Sequence, residues 1–136
     1  MGVYTNIQAA LDTKLNTIAS SPSIAWPNTA FEITHGTTYL EPILVSIDSE
    51  LHTLNGYKRY SGIYQVNISV PLEKGTSALN ALVDEVSTLF SSDRELLSGG
   101  DRVLVQNISR GPAIRYTEDR VEFYRTNVDI NFIVYS

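Results

Sequence analysis

The sequence predicts an α+β fold. The expected form is a mixed or antiparallel sheet of four or more strands, with two α-helices packed on it and a long protruding β-hairpin, in the order α-β-β-α-β-β. Three observations predict it. Ile7, Leu11, Leu15 and Ile18, and again Leu79, Leu82, Val83, Val86, Leu89 and Phe90, recur at helical spacing. Between them, two runs rich in β-branched residues flank Asn55-Gly56, a dipeptide that favours a two-residue turn with both residues at positive φ. Near the end, Val128, Ile130, Phe132 and Val134 alternate with Asn127, Asp129 and Asn131, the period of a half-buried strand.

The first helix is expected over residues 6–19. Thr5 and Gln8 have capping-box spacing, and Ser20-Ser21-Pro22 stops the helix because proline disfavours helical backbone just before it. Ile24-Ala25-Trp26-Pro27-Asn28 is a short extended segment that Pro27 bars from the middle of a sheet. Trp26, the only tryptophan, reads as a core or edge anchor. His35-Gly36-Thr37-Thr38 is a loop leading into the hairpin over residues 40–70.

If Asn55 and Gly56 are the two loop residues, strand partners have numbers summing to 111. Ile43 then faces Ile68, Val45 faces Val66 and Ile47 faces Tyr64, so every pair on one face is apolar. Leu44/Asn67 and Ser46/Gln65 make the other face mostly polar. Beyond Ile47/Tyr64 the composition turns polar, and about seven residues per strand at ~3.3 Å each would carry the tip some 20 Å past the sheet. This reads as an arm reaching another subunit.

Pro71 closes the second hairpin strand. Thr76 or Ser77 is the expected cap of helix two, which a short junction lays back across the sheet. Residues 95–97 and 103–108 suggest a small hairpin turning at Ser98-Gly99-Gly100-Asp101. Gly111-Pro112 interrupts the pattern, residues 114–116 form a further short strand, and Glu118-Asp119-Arg120 turns into the last one.

At 136 residues the chain is expected to be one domain, long enough to bury a core unaided. There are no cysteines, which excludes disulfides and thiolate chemistry. The net charge of −5, with acids and bases interspersed, does not attract nucleic acid in bulk. No apolar run reaches the ~20 residues that span a bilayer, and the N-terminus lacks the regions of a signal peptide. The expectation is a chain with no membrane contact that stays in the compartment where it is made.

A search for catalytic chemistry leaves no candidate. The two histidines, His35 and His52, fall in polar stretches, and neither stands in a nucleophile or zinc motif. Ser98-Gly99-Gly100-Asp101 has no phosphate-loop lysine after it. Asp48, Glu50 and Glu41 read as a solvated strand edge. No catalytic residue, cofactor or metal is expected. The residues singled out lie at the hairpin tip: Glu50, Leu51, His52, Leu54, Tyr57, Lys58, Arg59 and Tyr60. Tyrosine and arginine are enriched at interface hot spots, so a subunit or partner contact ranks first. A solubilising tip ranks second and stacking on single-stranded nucleic acid third. Arg110, Arg115, Arg120 and Arg125 either pair with acids on a neighbour or face water.

Ile24-Ala25-Trp26-Pro27-Asn28 with Phe31, Thr38-Tyr39-Leu40 and Gly62-Ile63-Tyr64-Gln65-Val66-Asn67-Ile68 form a series with a Gly75-Thr76 helix entry and Tyr124-Arg125 before the final strand. With these features the chain resembles the bacteriophage tail-terminator-like proteins over nearly its whole length. The resemblance implies a non-enzymatic structural component of a tailed-phage or prophage virion, assembled in the host cytoplasm and placed at the head-proximal end of the tail. It implies a homo-oligomeric ring, usually a hexamer, that caps the tail tube, ends tail polymerisation and joins tail to head. The implied partners are other copies of the chain, the tail tube protein and a head-completion protein, with DNA only passing through the channel. The alternatives are a head–tail adaptor or other neck protein and, from a different class, a small ligand-binding domain or enzyme.

Overall fold

The computed structural model describes residues 2–20, 22–27, 38–51, 58–72, 75–92, 94–118 and 120–135. Among them are two helices, α1 (Val3–Leu15) and α2 (Gly75–Ser92). The strands are β1 (Ser23–Ile24), β2 (Tyr39–Leu51), β3 (Lys58–Pro71), β4 (Glu95–Ser98), β5 (Asp101–Arg110), β6 (Ile114–Glu118) and β7 (Val121–Tyr135). They form one mixed sheet in the order β1-β2-β3-β7-β5-β4, with β6 also on β7. Among the described strands only the β1–β2 pair is parallel. The fold is α+β as expected, with three strands rather than two ahead of α2 and four after it.

The core lies between the two helices and one face of the sheet. Ile7, Leu11 and Leu15 of α1 are fully buried, as are Leu79, Val86 and Phe90 of α2. Against them stand Tyr64, Val66 and Ile68 of β3, Val103 of β5 and Val128, Ile130, Phe132 and Val134 of β7. Both helix stripes and the last strand follow the predicted periodicity.

Helix boundaries differ. α1 begins at Val3, with Gly2 at the cap position and no side-chain cap. Thr5 sits inside the first turn, and the Gln8 amide bonds forward to Asp12 instead of back to the helix start. The apolar stripe extends to Val3, which packs on the core, so the earlier start buries more surface. α2 likewise opens at Gly75, ahead of the predicted caps.

The predicted strand register does not hold. β2 and β3 are antiparallel, but Leu40 faces Ile68, Pro42 faces Val66 and Leu44 faces Tyr64, so partners sum to 108 rather than 111. The register then shifts by one around Val45, and Ile47 faces Gly62. The core side of β2 is therefore Leu40, Pro42, Leu44 and, after the bulge, Ile47. Ile43 and Val45 lie on the other side, 39% and 51% exposed. Both parities of this strand are apolar, so alternation could not choose between them. Proline supplies a second reason. Leu40 directs its C=O toward β1, accepting from Ala25 N–H at 2.7 Å. Two residues on, Pro42 turns its nitrogen toward the same edge, where a missing N–H costs no ladder bond.

The sheet body also extends farther than the pattern implied. β7 accompanies β3 down to Arg59, which faces Tyr135. Residues 58–61 are therefore interior to the sheet rather than part of an arm flanked by solvent. Residues 52–57, including the predicted Asn55-Gly56 turn, are outside the described residues.

A second, smaller cluster lies on the sheet face away from the helices. It joins Tyr39, Phe123 and Ala25, with Val121 packed beside them. Tyr39 and Phe123 meet edge to face at 5.2 Å.

Candidate assembly surface

The far end of the sheet gathers the predicted contact residues that the structure describes. Register places Glu50 opposite Arg59 and Leu51 opposite Lys58. Across the next ladder Arg59 faces Tyr135 and Tyr60 faces Val134. Directly opposed residues share a sheet face. Glu50, Arg59 and Tyr135 thus form one row on the face away from the helices, and Tyr60 lies on the helix side. There its ring meets Tyr4 of α1 edge to face, with centroids 5.6 Å apart. His52, Leu54 and Tyr57 are outside the described residues, so five of the eight positions are brought together here.

This end carries more apolar surface than folding requires. Leu51 is 66% exposed, Tyr4 53% and Tyr135 45%. The Arg59 Nε is buried without a hydrogen-bond partner among the described residues. Aromatics, an arginine and an exposed leucine from separate chain segments thus meet at one end of the sheet. Tyr4 and Tyr135 were not among the predicted residues. Only the fold brings the start of α1 and the end of β7 to this end, so no local pattern announces them.

Two polar groups elsewhere were also missed. The Tyr64 hydroxyl donates to Asp12 Oδ1 at 2.5 Å, and Gln8 Nε2 donates to both carboxylate oxygens at 3.0 Å. Burial first, then the Asp12 hydrogen bond and charge, push the Tyr64 hydroxyl far above the ordinary tyrosine range. It stays a proton donor to Asp12 and is not poised to act as an acid or base near neutral pH. Asp12 and Gln8 also line an open groove of about 620 Å³ with Thr13, Asn16, Trp26 and Pro27. Trp26 packs half-buried against the core, in the anchor role expected for it.

Arg125 corrects the expectation that the late arginines face water or a neighbour. It is 8% exposed. Its Nε donates to Ser69 Oγ and its Nη2 to Tyr39 Oη, each at 2.8 Å, and its guanidinium stacks 3.8 Å from the Tyr116 ring centroid. Glu41 stands 3.7 Å from Nη1. Arg110, Arg115 and Arg120 are exposed.

His35, like His52, is outside the described residues. Among those described, no three or more His, Asp or Glu side chains cluster as metal ligands would. No described helix is long and apolar enough to cross a membrane.

Comparison with known proteins adds three findings. A family model described as phage tail terminator protein matches residues 6–132. No curated protein matches the chain. Several solved structures match; one of these chains superposes with a TM-score of 0.69 at 24% identity, covering 98% of this chain and 96% of that one. At that identity the likeness speaks for the fold.

Proposed function

We infer the function from the premise that the chain belongs to the phage tail terminator family, matched over most of its length. Membership gives a structural role in a phage tail. The fuller reading we propose is that copies of this chain form a ring at the head-proximal end of the tail, probed first as a hexamer. The ring caps the tail tube, ends its polymerisation and joins the tail to the head. Its contacts are then other copies of the chain, the tail tube protein below and a head-completion protein above, with DNA passing through without specific binding. The chain acts as a scaffold with no catalytic step, and its location is the virion.

The family match carries this reading. The exposed apolar surface at Tyr4, Leu51 and Tyr135 supports it, because an isolated domain gains nothing from leaving those side chains in water. The chain's acidic balance, 15 acids against 10 bases, fits a channel along which a polyanion slides rather than sticks.

The test is the mass of the purified chain by light scattering across a concentration series, with negative-stain imaging, alone and with purified tail tubes. Rings, either free or seated on tube ends, are expected. A chain that stays monomeric at every concentration and leaves tube ends bare would sink the reading.

A further inference from the structure

We propose that the subunits of the ring join edge to edge. The β2 edge of one copy lies in the groove between α1 and β4 of the next, so that the sheet continues from subunit to subunit. The inference rests on the ring reading above and names its joint.

The sheet offers two different edges. On one side, β1 covers only Tyr39 and Leu40 of β2. Residues 41–51, about 36 Å of strand at ~3.3 Å per residue, have no strand on that side among the described residues. The first half is guarded by Pro42 and the bulge at Val45, two devices that block strand addition. The second half, from Ser46 to Leu51, is regular and carries neither. On the opposite side, β4 is the last strand of the sheet. Val105 N–H donates to the Arg94 C=O at 2.8 Å, and Glu95 faces Leu104. That pair is therefore non-hydrogen-bonded, and alternation points the backbone groups of Leu97 outward.

Head-to-tail rings need two distinct, complementary surfaces on each copy, and these edges are complementary in three ways. The first is direction. Four antiparallel steps separate β2 from β4, so both strands point the same way. A ring axis lying along the strands preserves that direction, which makes the joint a parallel pair.

The second is shape. Between α1 and the β4 edge runs a groove of about 360 Å³, floored by the small residues Ala9, Ala10 and Thr13. Rotation about the same axis keeps the helix side of each sheet in line with its neighbour's. Ile47 and Leu51, on the helix side of β2, would then enter that groove, while Asp48 and Glu50, on the other face, would lie beside Leu97, 70% exposed.

The third is charge. Asp48 and Glu50 stand exposed on the β2 end, whereas Lys14 and Arg94 border the β4 edge, where Arg102 and Glu95 neutralise each other in an ion pair at 2.8 Å. Opposite charge at the two edges favours the neighbour's β2 and disfavours pairing of like edges, which would close a dimer instead of a ring.

The test uses the full chain, which has no native cysteine. Asp48→Cys, Ser49→Cys and Glu50→Cys are each combined with Leu97→Cys and oxidised at ring-forming concentration. At least one pair is expected to give a ladder of covalent multimers on a denaturing gel, and no single-cysteine variant more than a dimer. In parallel, Leu97→Pro removes the outward N–H without touching a β4–β5 bond, and is expected to shift the mass from ring to monomer with an unchanged circular dichroism spectrum. If Leu97→Pro does not fold, the cysteine pairs decide. A wild-type ring with no ladder from any pair, and a ring retained by Leu97→Pro, overturns the joint and leaves the ring reading standing. A wild-type chain that is monomeric throughout and also leaves tail-tube ends bare overturns the ring reading itself.

Discussion

Arg125 Nη2 donates to the Tyr39 hydroxyl at 2.8 Å, across a separation of 86 residues. The bond ties the start of β2 to the first third of β7, with Ser69 of β3 held by the same guanidinium between them. A buried arginine is costly to dehydrate, and here hydroxyls, the Tyr116 ring and the more distant Glu41 share the compensation. Tyr39→Phe removes one hydrogen bond to a charged group and should cost about 1.5–3 kcal/mol. Arg125→Ala should cost more, about 3–5 kcal/mol, by opening a cavity and orphaning two hydroxyls. Urea unfolding of the two single variants and the double would show whether the effects overlap. Simple additivity would mean that the two side chains do not act through each other.

The Tyr64–Asp12 bond predicts a pH dependence. The folded-state pKa of Tyr64 is raised above its unfolded value, near 10. Below pH ~10 the tyrosine is protonated in both states, and the bond contributes fully. As pH rises past that point, the unfolded chain loses the proton and the folded one keeps it, so stability falls. Wild-type stability should therefore decline above pH ~10 by as much as about 1.4 kcal/mol per pH unit from this group alone. Tyr64→Phe should begin about 1–3 kcal/mol less stable at neutral pH and decline less steeply. Equal slopes above pH ~10 in the two proteins would remove Tyr64 as the source.

Gly99 and Gly100 turn β4 into β5 with φ of +56° and +89°. A Cβ at Gly99 would collide with Asn6 Oδ1, whereas one at Gly100 would meet open space. Asn6 is buried, and its amide donates to Asp101 at 2.7 Å, so it cannot give way cheaply. Both alanine variants pay for positive φ, about 1 kcal/mol each. Gly99→Ala should cost a further ~1–2 kcal/mol for displacing Asn6 from its partner. Thermal melts compare them directly, and equal losses would show that Asn6 moves freely.

The two faces of β2 make a sharper test, because the sequence pattern and the structure assign them oppositely. Ile43 and Val45 are exposed on the face away from the helices, while Leu40 is fully buried on the other. Ile43→Thr and Val45→Thr should each stay within about 0.5 kcal/mol of wild type. Leu40→Ala should cost about 2–5 kcal/mol. A large loss from Ile43→Thr would restore the register that an Asn55-Gly56 turn implies.

That contrast marks how far the sequence could be read. The helix stripes and the Val128/Ile130/Phe132/Val134 face were legible because each has one apolar parity and a polar opposite. β2 was not, because Leu40, Leu44, Ile43 and Val45 fill both parities, and a bulge then exchanges them. The buried Arg125 was missed for a different reason. Its partners lie on three other strands, and nothing local separates it from the exposed Arg110, Arg115 and Arg120. The tip residues Glu50, Leu51, Lys58, Arg59 and Tyr60 were singled out by composition. Their neighbours Tyr4 and Tyr135 became visible only when the fold placed three chain segments at one end of the sheet.

Those neighbours carry the last prediction. Leu51, Tyr4 and Tyr135 are large apolar side chains left substantially in water. Leu51→Ser removes little buried area and should keep the isolated chain within about 0.5 kcal/mol of wild type, whereas Tyr135→Ser, at a side chain 45% exposed, should cost about 1–2 kcal/mol and still leave the chain folded. If this end of the sheet is where the assembled tail is gripped, the same changes remove hot-spot contacts and should cost about 2 kcal/mol or more in binding, roughly thirtyfold. Complementing a phage that lacks its own copy of the gene reads both quantities at once. Folded protein should accumulate at wild-type level, while infectious yield falls and electron micrographs show tails of irregular length. Full yield and uniform tails from the double variant would mean that this end of the sheet is only solvent-facing, and would count against Leu51 as part of any joint between copies.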